Sequence, residues 1–232
     1  IVLHVAGIAH RKETKKIKDL YFRVNRDLTY EVARKAKNEG VSHFIFLSSM
    51  SVYGLDTGII TRETIPQPKT YYGKSKLEAE VLIKTIEDEK FLVSNVRPPM
   101  VYGKNCPGNY SKLRKLALST PVFPKINNKR SMIYIDNLSE YLRVIIDKKY
   151  NGIHLPQNHE YVNTSNLVKL IAFENNKKIL FTPIFNPLIK RLKINIFAKL
   201  FGNLIYKVDE ETILINTINF EESIKKTEGR NM

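Results

Sequence analysis

An α/β fold built on a parallel sheet with crossover helices is what this chain predicts, and three observations carry the expectation. The apolar runs 1–6, 43–47 and 91–96 are continuous rather than alternating, as strands covered on both faces are. Between them lie stretches whose apolar residues recur at helical spacing. The resulting order is strand, helix, strand, helix, strand, the rhythm of right-handed βαβ units.

Residues 1–6 (IVLHVA) read as a buried strand. Residues 21–37 read as a helix, with Val24, Leu28, Val32, Ala33 and Ala36 on one side. His43–Leu47 is a second strand and ends in Ser48-Ser49. The next helix begins near Tyr72 and runs through Val81, Leu82 and Ile83, and residues 91–96 form the third strand. After Arg97 the rhythm breaks, with Pro98, Pro99, Gly103, Pro107 and Gly108 making a long loop. Residues 112–118 suggest a short helix and 133–135 a strand. Asp136 is the expected N-cap for a helix over 138–146, residues 152–155 a short strand, and Thr164 the expected cap of a helix reaching Phe173. The remainder is less regular. Within it, Leu188, Leu192, Ile196, Leu200 and Leu204 repeat every four residues between basic residues, an amphipathic helix expected to pack on its own domain.

The chain has 232 residues, 43% of them hydrophobic, enough for a sizeable core. No run of 18 apolar residues exists, so stable membrane insertion is not expected. The lone cysteine, Cys106, excludes an internal disulfide, implies a reducing, cytoplasmic setting, and leaves no metal site in prospect. A net charge of +15 asks for an anionic partner. Nucleic acid, an acidic membrane surface and a nucleotide phosphate would all qualify. Lys and Arg are spread along the chain without an RNP-like or zinc-finger pattern, so a Lys-rich solvated surface is expected rather than nucleic-acid binding.

Chemistry concentrates at Tyr72-Gly-Lys-Ser-Lys76. Residues i and i+4 share a helix face, so the Lys76 ammonium is expected below the Tyr72 hydroxyl. A cation there would favour phenolate and make Tyr72 a general base or acid for a substrate hydroxyl. Ser48-Ser49, at the C-terminal end of a sheet strand, stands where such folds place ligand-binding groups.

Six segments occur in order: VLHVAGIAH (2–10), Val24-Asn25 with Thr29, FLSSMSVYG (46–54), YGKSK (72–76), RPPMVYG (97–103) and RSMIYIDN (130–137). Together they resemble the extended short-chain dehydrogenase/reductases, specifically the NAD-dependent epimerase/dehydratase family and its UDP-glucose 4-epimerase-like members, over essentially the whole chain. The resemblance implies a Rossmann-type, doubly wound parallel sheet, N-terminally truncated. Its partial NAD-binding domain would comprise 1–103 and 130–155, and a smaller sugar-nucleotide domain 104–129 and 156–232. It implies Ser49, Tyr72 and Lys76 as catalytic residues. Ala6, Gly7, Asn25, Ser48, Tyr72, Lys76, Pro98 and Pro99 would bind NAD, and Ser49, Asn109 and Arg130 a UDP-sugar. The reaction it implies is 4-epimerisation through a 4-keto sugar for polysaccharide precursors, without a metal, in a homodimer.

Two departures qualify that expectation. The Gly-x-x-Gly-x-x-Gly loop expected on the pyrophosphate is not in these residues, residue 1 resembling the start of the family's fourth strand. This form is accordingly expected to bind NAD poorly, and a non-catalytic remnant stays open. Dehydratases carry an Asp-Glu pair where this chain has Met50-Ser51, so elimination of water is disfavoured, whereas a 4-keto-sugar reductase stays open.

Overall fold

The computed structural model describes residues 1–11, 13–184, 200–208 and 218–229. The chain divides into two compact units, one of residues 1–55, 62–99 and 141–156, the other of 56–61, 100–140 and 157–232.

The first unit is a four-stranded parallel sheet. Strands β1 (Val2–His4), β2 (His43–Leu47), β4 (Leu92–Val96) and β8 (Gly152–His154) lie in the spatial order β1-β2-β4-β8. The register pairs Val2 with Phe44, His43 with Leu92 and Ser94 with Gly152. Helices α2 (Leu28–Asn38) and α3 (Tyr71–Lys84) cover it through Ala33, Ala36, Ala79 and Ile83, which close on Phe44, Phe46, Phe91 and Val93. Small residues on the helices against large ones on the strands let the layers approach closely, so every aromatic of this core is essentially out of water.

The helix expected over 21–37 begins earlier, as α1 (Lys15–Phe22), and passes through one wide turn over Arg23–Asp27 before continuing as α2. In that turn Leu28 N bonds back five residues to Arg23 O, the π-helical spacing. Buried Asn25 occupies the widened turn.

The second unit contains three parallel strand pairs: β3 (Gly58–Ile60) with β10 (Leu204–Tyr206), β5 (Met100–Tyr102) with β7 (Met132–Tyr134), and β6 (Val122–Pro124) with β9 (Leu180–Thr182). Its helices include α4 (Asn109–Ser119), α6 (Thr164–Glu174) and α7 (Phe220–Glu228), packed around Tyr102, Tyr110, Leu113, Val168, Ile171 and Ile224. Buried Glu228 ties α7 down, accepting from Tyr110 OH at 2.8 Å, Arg114 Nε at 2.7 Å and Asn175 Nδ2 at 2.8 Å.

Several local expectations change here. Leu204 belongs to strand β10 rather than to an amphipathic helix, because its backbone pairs with Gly58. Leu188, Leu192 and Ile196 lie outside the described residues. Asn163, not Thr164, caps α6, its side chain accepting from Asn166 N at 3.0 Å. Asp136 is no N-cap either: helix α5 (Ile135–Lys148) already includes it in its first turn. No helix among the described residues is long and apolar enough to cross a membrane.

Candidate active site

The candidate site sits at the C-terminal ends of β2 and β4, where a parallel sheet leaves its carbonyls unpaired and its following loops converge. Strand β2 ends at Leu47, and extended Ser49 opens a short 3₁₀ turn over Met50–Tyr53. Ser49 Oγ accepts from Ser51 N at 3.1 Å and from Ser51 Oγ at 2.9 Å. That leaves its own O–H as the donor, and Ser49 favours ionisation of Tyr72. The loop after β4 is fastened to this turn by Met50 N donating to Pro98 O at 2.9 Å, with Pro98 and Pro99 both buried.

Tyr72 and Lys76 do share a face of α3, but their electrostatics differ from the expectation. The Tyr72 hydroxyl is pushed above the usual tyrosine value, chiefly by burial; Ser49 pulls it down, and the Tyr21 ring system nearby pushes it further up. Its neighbour Lys76 donates to Leu47 O at 2.9 Å and stands 4.5 Å from the centre of the Phe46 ring. Burial lowers Lys76 to about 8, with the Glu80 carboxylate opposing. Tyr72 is therefore a phenol at neutral pH, and Ser49 is the group that makes its ionisation easier.

The turn after β1 approaches the same ammonium. A Cβ on Gly7 would stand 2.9 Å from Asn25 Oδ1 and 3.2 Å from Lys76 Nζ, so only glycine fits without displacing one of them. Asn25 spends its amide locally: Oδ1 accepts from Ile8 N at 2.8 Å, and Nδ2 donates to Ile8 O at 3.0 Å and Ser75 Oγ at 3.1 Å. Ala6 and Gly7 are exposed, so this surface is open to a ligand. The open glycine turn, an ammonium beneath it and strand ends beside it fit a dinucleotide's nicotinamide end. Among the described residues no cluster of His, Cys, Asp and Glu could hold a metal.

Below these residues lies a buried ionic floor that sequence reasoning missed. Arg97, at the end of β4, donates through Nε to both Glu80 oxygens at 3.1 and 3.2 Å, pairs again through Nη2, and donates from Nη1 to Tyr53 OH at 2.8 Å. Both members of the ion pair are 4% exposed. Burial alone would lower the Arg97 value, yet the hydrogen bonds and charge of Glu80 more than offset it and raise it. Ser48 joins this floor, its hydroxyl donating to Glu80 Oε1. A signal was present: Glu80 lies four residues beyond Lys76 on the same helix face, and an arginine closing a buried strand requires an acid.

The remaining expected residues belong to the second unit. Asn109 opens α4 on an exposed position. Arg130 is half-buried, exchanges both backbone hydrogen bonds with Val162, and donates from Nη1 to Gly202 O at 3.0 Å. Burial lowers its value, with Asp56 opposing.

Two outcomes follow from this geometry. Arg97→Met leaves Glu80 charged and buried and should cost about 3–5 kcal/mol in urea unfolding, whereas Glu80→Leu combined with Arg97→Met should recover more than half of that. Equal destabilisation of the single and double variants would contradict the buried-charge account. Lys76 is held below its unfolded value, so the unfolded chain keeps a proton that the folded chain sheds. Stability should therefore rise as pH climbs from about 8 toward 10.5, by up to about 3 kcal/mol, and Lys76→Met should flatten that rise. A variant whose stability climbs as steeply as the parent's would refute the assignment.

Comparison with known proteins establishes the family. Residues 1–162 match the family described as the NAD dependent epimerase/dehydratase family. A UDP-glucose 4-epimerase of Vibrio cholerae is 32% identical over 97% of this chain and 70% of its own length. An N-acetyl-alpha-D-glucosaminyl-diphospho-ditrans,octacis-undecaprenol 4-epimerase of Escherichia coli O157:H7 is 28% identical over 69% of the chain and 50% of its own length. Among solved structures, the UDP-glucuronic acid 4-epimerase of Bacillus cereus in complex with NAD superposes with a TM-score of 0.75 at 18% identity, covering 97% of this chain and 72% of that one. The dTDP-4-dehydrorhamnose reductase of Bacillus anthracis in complex with NADP gives 0.74 at 18% identity, over 97% and 78%. By its match over residues 1–162 and its likeness to the Vibrio cholerae enzyme along nearly its whole length, this chain belongs to the NAD-dependent epimerase/dehydratase family.

Proposed function

We propose that the protein is an NAD-dependent sugar-nucleotide 4-epimerase acting on a UDP-hexose through a 4-keto sugar. The observation that carries the reading is the close packing of the turn bearing Tyr72 on the turn bearing Ser49: a Cβ on Gly73 would stand 2.6 Å from Ser51 O, and Ser51 is bonded to Ser49 Oγ. The identity to the Vibrio cholerae UDP-glucose 4-epimerase supports the substrate class. NAD, when bound, supplies the hydride acceptor and donor. Ala6, Gly7 and Lys76 would lie along its nicotinamide half, with Pro98 and Pro99 closing the other side. Lys76 gives one N–H to Leu47 O and keeps its others for a ligand hydroxyl.

The protein's own chemistry concerns one proton. Ser49, whose acceptor sites are taken by Ser51, has one O–H to give, which eases ionisation of Tyr72 in the free protein and would turn to the sugar's 4-oxygen in the complex. Once ionised, Tyr72 takes the 4-hydroxyl proton as the C4–H bond breaks and returns it to the same oxygen after the sugar has turned over. Asn109 and Arg130 would hold the diphosphate; a guanidinium suits that task. A homodimer also belongs to the proposal, supported by Leu28 and Val81, apolar residues left exposed on α2 and α3.

Reduction of a 4-keto sugar nucleotide is the second reading. It is favoured by the protonated Tyr72, a phenol poised to deliver its proton rather than to accept one.

In the protein as the cell makes it, incubation with NAD and UDP-glucose or UDP-N-acetylglucosamine should invert C4, followed by proton NMR. Tyr72→Phe should lower turnover by about 10²–10⁴-fold. Failure to invert either sugar, with consumption of NADPH on adding a 4-keto sugar nucleotide, would replace the epimerase reading by the reductase.

A further inference from the structure

The first turn of α3 draws its cap from far away in the sequence. A helix starts with backbone N–H groups that no carbonyl within it can accept. In α3, Gly73 N donates to Thr70 Oγ1 at 3.0 Å, the usual N-cap arrangement. Tyr71 N and Tyr72 N donate instead to the two carboxylate oxygens of Glu13, at 3.0 and 2.9 Å. No acid of α3's own lies in that turn. A carboxylate is the suitable occupant, since the N-terminal end of a helix carries partial positive charge.

The same segment touches the two tyrosines again. Lys18 Nζ stands 5.7 Å from the centre of the Tyr71 ring, and the Tyr21 ring meets that of Tyr72 at 6.1 Å and 58°. Tyr21 is itself anchored to the segment by donating to Arg11 O at 3.2 Å. From the opposite side Gly73 is pressed on Ser51, whose carbonyl oxygen would lie 2.6 Å from a Cβ there. Ser51 in turn bonds to Ser49. The turn that carries Tyr72 is thus gripped between the Ser49 turn and Glu13, Lys18 and Tyr21.

We propose that Glu13 is a positioning residue for Tyr72, a role that rests on reading Tyr72 as the acid–base group. By taking the backbone N–H of Tyr72 itself, Glu13 sets where the side chain carrying the phenol begins, beside the turn of Ser49 and Ser51 on which Gly73 is packed. It also joins the tyrosine to the chain that leaves Gly7, so the segment facing the nicotinamide end and the proton-handling residue move as one piece. Glu13 is exposed, so its hold on the helix end weakens with ionic strength.

The test uses protein labelled with ¹³Cζ tyrosine, the Tyr72 resonance being the one lost in Tyr72→Phe. Glu13→Ala should shift that resonance and raise its titration midpoint, because the influence of Ser49 that lowers it is weakened. Tyr102 and Tyr110 should stay in place. Salt on the order of 1 M should move the parent's Tyr72 signal in the same direction. Glu13→Gln, nearly isosteric and uncharged, should fall between, and serves if Glu13→Ala does not fold. In the C4-inversion assay kcat should fall roughly tenfold while KM for the UDP-sugar stays within about twofold. An unmoved Tyr72 signal in a folded Glu13→Ala protein, whether or not its melting temperature drops, would overturn the proposal. A Tyr72→Phe protein of full activity would instead overturn the acid–base reading and leave the contact between Glu13 and the helix intact.

Discussion

Two charges removed from water, Glu80 and Arg97, set the terms for everything built above them. Either alone would be an uncompensated charge in the interior, and each finds in the other a partner of matching shape. The pair joins a point midway along α3 to the end of β4, and through Ser48 and Tyr53 it reaches the end of β2 as well. Three elements of the first unit are therefore fixed at one spot by directional bonds rather than by apolar contact. Hydrophobic packing lets helices slide by fractions of an ångström, whereas a fork of N–H groups on a carboxylate tolerates little. Proton transfer needs hydroxyls held within hydrogen-bond reach, which accounts for a floor of this kind beneath Ser49 and Tyr72.

The parallel sheet and its covering helices were legible because burial on both faces leaves continuous apolar runs. Residues 43–47 and 91–96 announce themselves by composition alone. The three-residue strands of the second unit do not. Gly58–Ile60 and Leu204–Tyr206 are too short to show a period, and they are strands only because each finds the other across about 145 residues of sequence. The i+4 repeat through Leu204 imitated a helix until that pairing intervened. The trio Ser49, Tyr72 and Lys76 was legible from a helix face and a strand end, while Arg97 and Glu80 needed the third dimension to become a pair. Glu13 was less accessible still, since a cap taken from 58 positions away leaves no local trace.

Spacing alone also misjudged how the tyrosine and lysine divide their work. Four residues on a helix bring two side chains to one face but do not decide where a flexible ammonium points. Leu47 O and the Phe46 ring offer Lys76 a better place than the phenol does. The serine hydroxyl, two residues past the end of β2 and easily taken for a strand terminator, is what bears on the tyrosine proton.

The wide turn at Arg23–Asp27 has a consequence for how this chain can change length. Buried Tyr21, Asn25, Thr29 and Ala33 recur every four residues, whereas an α-helix turns once in about 3.6. Over twelve residues that mismatch would rotate Ala33 about 120° away from Tyr21's side; absorbing one extra residue in the wide turn returns it to within about 20°. The turn is thus a phase corrector. Loss of a single residue from it would leave a regular helix with eleven steps between Tyr21 and Ala33, still within about 20° of one side, whereas loss of a residue elsewhere between them would turn one against the other by about 100°.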